Sequence, residues 1–314
     1  MMELDVWNNW MSMALLTPAL WAVSCIIDVC FVGERIFRFP SDGPIISGLF
    51  CVLPFFVLAT EVGGWEPVTL RTSWPALLAG ACYFLHLYFV FRALFTMNDA
   101  SCSETFNTLS VLFVPVMAFV LLGERLDPIY YFAIVLALGG IFVLIRYHLS
   151  GVHRHAVVLL TVAVLCISLT MVLQAWVFEQ MGYWNGVVLF SLGTFLTALI
   201  VGGVQRRRRQ RILGLCWRFG GIFLVAELLQ LAAVLASQRA TAIGPSVSIV
   251  AVVECSLPLF VMVFSAGLLL SRYRKSLSPA ICDTLRLQMT SSPVKLTSVT
   301  LILIAILIVQ ITVI

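Results

Sequence analysis

Apolar stretches of about 20 residues, the length of an α-helix across a bilayer, recur from end to end of this 314-residue sequence. Within hydrocarbon every backbone N–H and C=O must find its partner inside the protein, which leaves only helices or a closed barrel as spanning structures. The stretches are continuous in Leu, Val, Ala and Phe, with no alternation of period two, so a barrel is excluded. Composition agrees: 61% of residues are hydrophobic, 11% are charged and the mean hydropathy is +1.05. A soluble domain carries about twice that fraction of charge. The expected fold is an all-α integral membrane protein.

The spans fall at Ser12–Val32, Pro44–Gly63, Trp74–Met97, Ser103–Leu122 and Pro128–Arg146, then at Ala156–Phe178, Gly186–Val204, Phe219–Ser237, Ser246–Leu270 and Thr297–Ile314. Connections as short as Asn98–Cys102 and Gly123–Asp127 make the helices they join antiparallel neighbours. The longest connection, Ser271–Leu296, is polar, contains Pro279 and Pro293, and reads as a loop with room for a surface helix. Glu3 and Asp5 precede the first span with no basic region and no small-residue cleavage site after it, so that span is expected to be retained. The nine cysteines sit mostly inside apolar runs (Cys25, Cys51, Cys82, Cys166) and form no C-x-x-C pair. They are expected to be free thiols acting as small apolar residues.

The two halves resemble each other. Leu15-Leu16-Thr17 opens the first span and Leu159-Leu160-Thr161 the sixth, and Ser24 then corresponds to Ser168. Ala93 to Pro115 has the same length as Ala236 to Pro258. This spacing predicts a duplicated five-helix unit, residues 1–150 and residues 151–314. An odd number of helices per unit forces the copies into opposite orientations. About ten transmembrane helices in two inverted five-helix repeats is a transporter architecture, with its substrate site at the midplane.

The segment from Ala93 to Ile145 carries Val114-Pro115-Val116, then Leu121-Leu122-Gly123-Glu124-Arg125-Leu126, then a Pro-led apolar helix with Gly139-Gly140. In these features it resembles the EamA-type drug/metabolite transporters. A looser echo, Ile243-Gly244-Pro245 and Ser256-Leu257-Pro258-Leu259-Phe260, follows in the second half. The resemblance implies two EamA-like repeats and secondary transport of a small metabolite, with export favoured. Where Gly-Glu-Arg-Leu would recur, the second half has Ser271-Arg272-Tyr273-Arg274 and an inserted loop.

Basic residues gather on alternate loops. Arg35, Arg38, Arg146, Arg154, Arg206 to Arg209, Arg211, Arg218, Arg272, Arg274, Lys275, Arg286 and Lys295 share one side, against Arg71, Arg125 and Arg239 on the other. Basic loops stay in the cytosol, which with ten spans places both termini outside; the family resemblance implies cytoplasmic termini instead. The Arg206–Arg211 run signals orientation or attracts anionic lipid. It lacks the interleaved aromatics of a nucleic-acid platform, so no nucleic acid is expected.

Ionisable residues within spans are costly and mark candidate sites. Asp28 lies late in the first span beyond Trp21 and Ser24, and Arg92 late in the third. Glu104 and Asn107 begin the fourth span, Glu227 and Gln230 stand at i and i+3 in the eighth, and Glu254 lies one turn before Pro258 in the ninth. A carboxyl at the depth of Glu227 or Glu254 binds a cation, carries a proton, or is paired with an arginine or shares a hydrogen with a neighbour, and the first two suit a proton-coupled carrier. Arg92 pairs with Asp28 or Glu104, holds a substrate carboxylate, or reaches up to the interface. Tyr83 and His86, also i and i+3, offer a proton relay or an interhelical hydrogen bond. Trp21, Tyr83 and Trp176 stack a flat or cationic substrate or serve as packing.

The leading reading is a secondary transporter, an exporter or exchanger coupled to protons or a counter-substrate, that moves a small polar or amphipathic metabolite. The alternative is a non-transporting membrane partner subunit or lipid-handling scaffold. An enzyme is not expected: the sequence has no P-loop, H-E-x-x-H or G-x-S-x-G. His148, His153 and His155 lie in a basic loop without acids or cysteines at ligand spacing, so no metal or other cofactor is expected. The expected partners are the small-molecule substrate, membrane lipids and protons. A monomer or homodimer in the plasma (bacterial inner) membrane fits this reading.

Overall fold

A computed structural model of the chain describes residues 6–33, 36–54, 69–97, 105–148, 154–271 and 293–313, together with 279, 282, 283, 285 and 286. Among the described residues no strand occurs. A turn of 3-10 helix, Val6–Asn8, leads into α1 (Trp10–Gly33), α2 (Asp42–Phe50), α3 (Leu70–Met97), α4 (Ser110–Leu122) and α5 (Pro128–His148). There follow α6 (Arg154–Gln180), α7 (Tyr183–Gly203), α8 (Arg206–Ile243), α9 (Val247–Glu254), α10 (Leu257–Leu270) and α11 (Pro293–Val313). Nine stretches among the described residues are long and apolar enough to cross a bilayer, so the chain is a multi-pass helical membrane protein. Two of them, Thr105–Leu122 and Val247–Leu270, contain a break. The expected second span, Pro44–Gly63, is described as far as Pro54, and Glu104 and most of Ser271–Leu296 lie outside the described residues.

One expected boundary is corrected. The eighth span was placed at Phe219–Ser237, but α8 runs for 38 residues from Arg206 to Ile243. That is about 57 Å of helix at 1.5 Å per residue, nearly twice the ~30 Å of a hydrocarbon core. Hydropathy marks where the solvent changes, whereas helix continues wherever no residue stops it. Arginine is a good helix former and no proline occurs in the segment, so α8 extends well beyond the apolar layer.

The principal packing contacts come in matched sets. Helix α1 lies on α8 and α3 on α6; α4 lies on α6, and α1 on α9 and α10; α3 lies on α7 and α2 on α8. Three further pairs, α2 with α7, α4 with α9 and α5 with α11, join helices at equal positions in the two halves. Exchanging the helices of residues 1–150 for those of residues 151–314 in chain order leaves this set unchanged.

Lipid gives no hydrophobic drive for helices to associate, so close backbone approach at small residues takes its place. At the α3–α7 crossing a Cβ on Gly80 would collide with the Phe190 carbonyl, and one on Gly193 with the Leu77 carbonyl. Thr194 Oγ1 donates to the Gly80 carbonyl there at 3.1 Å. Likewise, between α5 and α11, Ser298 Oγ donates to the Gly140 carbonyl at 2.7 Å.

Both ends of the bundle are pinned by arginine. At one, Arg239 near the end of α8 donates to the Trp7 carbonyl and Asn8 Oδ1, with its guanidinium 5.3 Å from the Trp7 ring and 5.4 Å from Tyr183. Trp7 precedes α1 and Tyr183 follows α6, so α1 begins at the end where α6 finishes and the two run in opposite directions. At the other end Arg211, in the first turns of α8, pairs with Asp42 at the start of α2. The Leu-Gly-Glu-Arg-Leu turn closes α4: Gly123 takes φ +70°, and the Glu124 N–H bonds back to the Ala118 carbonyl. Glu124 Oε1 then accepts from Ser246 Oγ at 2.8 Å, the serine that caps α9 through the Ile249 N–H.

Replacing Gly193 by Val is expected to cost about 1–3 kcal/mol through forced separation of α3 and α7. Val at Gly203, where a Cβ meets nothing within 4 Å, is expected to leave stability unchanged. Thermal unfolding in detergent checks both.

Candidate functional site

The two broken spans meet at one cavity. In the fourth span helix gives way at Thr108–Leu109 before α4 begins at Ser110; in the ninth it gives way at Cys255–Ser256 between α9 and α10. Both breaks are bridged by tightened i to i+3 bonds, Leu109 N–H to the Phe106 carbonyl and Ser256 N–H to the Val253 carbonyl. Proline contributes to the second break, because Pro258 has no N–H for the Glu254 carbonyl four residues before it. Asn107, Thr108 and Ser110 at one break, and Glu254 and Leu257 at the other, line the same cavity of about 860 Å³, its mouth included.

Six of the residues singled out from the sequence are on this wall: Asp28 from α1, Tyr83 and His86 from α3, Asn107 before α4, Gln230 from α8 and Glu254 from α9. The spacing of Tyr83 and His86 works as expected for one helix face: their rings lie 6.2 Å apart in a stacked arrangement. Gln230 Nε2 donates to Tyr83 Oη at 2.6 Å, joining α8 to α3. His86 Nδ1 lies 3.0 Å from the Ala163 carbonyl, which can only accept. In the neutral ring Nδ1 therefore carries the proton and Nε2 is left as an acceptor.

Glu254 is buried, and its carboxyl faces the hydroxyls of Ser237 on α8 and Thr17 on α1. Its Oε1 has no hydrogen-bond partner among the described residues, nor has the indole N–H of Trp21 on the same wall. A buried polar atom without a partner is costly and calls for a ligand, water or proton. Among the described residues of the wall there are two carboxyl groups and no Lys or Arg. Aromatic rings from Trp21, Tyr83 and Phe91 supply flat apolar surface beside them.

Two of the other candidates lie elsewhere. Arg92 is exposed near the end of α3, with its guanidinium 5.8 Å from the Tyr88 ring. Glu227 accepts from Ser47 Oγ at 2.7 Å, between α8 and α2, off the cavity wall. Glu104 lies outside the described residues. Of the aromatics, Trp176 packs against a separate cluster with Ala76 and Val177. Among the described residues no group of His, Cys, Asp and Glu is placed to hold a metal ion.

Sequence reading passed over Asp42, which is fully buried. Its one signal was an acid two residues ahead of Pro44, where the second span was expected to begin.

No family model matches the sequence, and no curated protein matches it. A crystal structure of another protein superposes with a TM-score of 0.64 over 98% of this chain and 96% of that one, at 15% identity. The likeness is one of fold alone, and it takes in both halves of the chain.

If the cavity admits water, a small methanethiosulfonate reagent is expected to modify Cys25, on its wall, in a variant retaining that cysteine alone. A variant retaining only the buried Cys255 is expected to resist. Mass spectrometry of the labelled protein in detergent gives the comparison; equal resistance of both would mean the cavity is closed to water.

Proposed function

We propose that the chain is a secondary transporter of the EamA-like drug/metabolite type, with ten spans in two inverted five-helix repeats and the central cavity as its substrate site. The observation that carries this reading is the convergence of two broken spans, one from each half, on a single cavity holding two carboxyl groups. Interrupted helices are tolerated at membrane depth where they line a cavity, and carriers place their sites at such interruptions. The matched packing of the two halves and the opposed directions of α1 and α6 support the inverted repeat.

The wall favours a substrate with a cationic or donor-rich head and an apolar or flat body. Asp28 and Glu254 meet the head, Trp21 and Tyr83 the body. A carboxyl as buried as that of Glu254 exists either protonated or paired with a cation. A cation entering the site releases the proton from Glu254, and a proton entering from the other side displaces the cation. Each cycle then exchanges one for the other. The arginine-rich end, with Arg38, Arg154, Arg206 to Arg209, Arg211 and Arg218, faces the cytosol in this reading. Glu227, held by Ser47 away from the cavity, has a packing role.

Reconstituted into liposomes, the wild-type protein is expected to move at least one member of a labelled panel of amines, amino acids and nucleobases, faster with an opposing proton gradient. Glu254→Gln is expected to lower gradient-driven flux by about 10²-fold, the scale of losing a positioned proton-transfer group. Glu227→Gln is expected to keep most of it. Equal flux in wild type and Glu254→Gln, or no flux of any compound by the folded protein, overturns the reading.

A further inference from the structure

At the arginine-rich end of the bundle, residues 36–39 fold back against the first turns of α8. Asp42 anchors the fold-back with both oxygens. Oδ2 accepts the backbone N–H groups of Arg38 and Phe39 at 3.1 and 3.0 Å, and Oδ1 accepts Nε and Nη2 of Arg211 at 3.0 and 2.8 Å. The Arg211 guanidinium also lies flat over the Phe39 ring, 3.9 Å from its centre. Arg211 is thus fixed in place by a buried carboxylate.

Beside this pair opens a recess of about 350 Å³. Arg211, Gly214, Leu215 and Arg218 stand at i, i+3, i+4 and i+7 on one face of α8 and form one wall, with Ile36 and Arg38 opposite. Gly214 leaves the middle open, since a Cβ there would meet nothing within 4 Å. Three guanidinium groups line the recess, and Asp42 balances one of them. Arginines lining an open recess are suited to a tetrahedral oxyanion, to which a guanidinium can donate two bonds.

The length of α8 places this recess in the membrane. About 18 of its residues exceed what the hydrocarbon core requires, so the recess lies beyond the apolar layer, where headgroups are. Trp217, 94% exposed, and Leu213, 61% exposed, lie on the adjoining face of the same turns, as in a helix bathed in the interface. Basic pockets between helices at this level are suited to phosphate-bearing headgroups.

We propose that the recess walled by Arg38, Arg211 and Arg218 is a binding site for a phosphate group, and that its occupant is the headgroup of an anionic phospholipid. It is separate from the central cavity and stands whether or not that cavity carries a substrate. Arg211 orients the site from behind, while Arg38 and Arg218 are the exposed arms that close on the phosphate.

Binding of short-chain phosphatidylglycerol, short-chain phosphatidylcholine and inorganic phosphate to the full chain in neutral detergent tests it. The wild type is expected to hold the anionic lipid about tenfold more tightly than the zwitterionic one, the scale of one or two charge-assisted bonds. Arg38→Gln with Arg218→Gln should bring the two lipids to parity without changing the melting temperature, since both side chains are exposed. Arg207→Gln with Arg209→Gln removes the same charge outside the recess and should keep the preference. Displacement of the lipid by inorganic phosphate at comparable concentration would overturn the lipid assignment while leaving a phosphate site. A preference untouched by the recess variant, or lowered equally by both variants, overturns the site itself.

Discussion

In hydrocarbon a backbone amide has only the protein to bond to, and the architecture of this chain follows from that constraint. Seven of the nine candidate spans among the described residues obey it by running as uninterrupted helix. The fourth and ninth do not. One breaks in its first turns, at Thr108–Leu109, the other near its middle, at Cys255–Ser256, and each bridges the gap with a tightened turn. Such breaks persist only where neighbouring groups supply polarity. Asn107, Ser110 and Glu254 provide it here, and together they bring polar groups into a largely apolar cavity.

Two kinds of contact hold that cavity open. Glycine and hydroxyl residues let α3 meet α7, and α5 meet α11, at backbone distance, so the scaffold is rigid without needing a hydrophobic drive. Arginine then ties the ends: Arg239 to the aromatic cluster around Trp7, Arg211 to the buried Asp42. Removing one partner of a buried pair such as Asp42–Arg211 costs about 3–5 kcal/mol, more than most single helix contacts. The packing is matched between the halves, but the chemistry is not. Setting Pro115 against Pro258 pairs Glu254 with Val111, and setting Ser24 against Ser168 pairs Asp28 with Val172, both valines being fully buried. With an acid at only one of each two positions matched in this way, the charge of the cavity is asymmetric.

Much of the site was legible in the sequence because charge inside an apolar run is rare and conspicuous. Asp28 and Glu254 were found that way; Gln230 beside Glu227, and Tyr83 with His86, were found by helical spacing. The same logic singled out Arg92, whose exposed position near a helix end is the outward reach that the sequence had left open beside a site role. It also grouped Glu227 with Gln230; a helix packed against more than one neighbour presents i and i+3 to different ones, α2 for one and α3 for the other. The reach of α8 was hidden because hydropathy reports solvent and not helicity. Asp42 was hidden for a different reason: its partner Arg211 is 169 residues away, and no periodicity links them.

The central claim is that one cavity, built by both halves, opens alternately to the two sides of the membrane. The most direct test is the sidedness of a single cysteine at position 25, on the cavity wall, probed with a membrane-impermeant thiol reagent in right-side-out and inside-out vesicles. The account predicts modification from both sides, with Glu254→Gln shifting the balance toward one of them. Access from one side alone, unchanged by proton gradient and by Glu254→Gln, would contradict it and leave the cavity as a fixed vestibule.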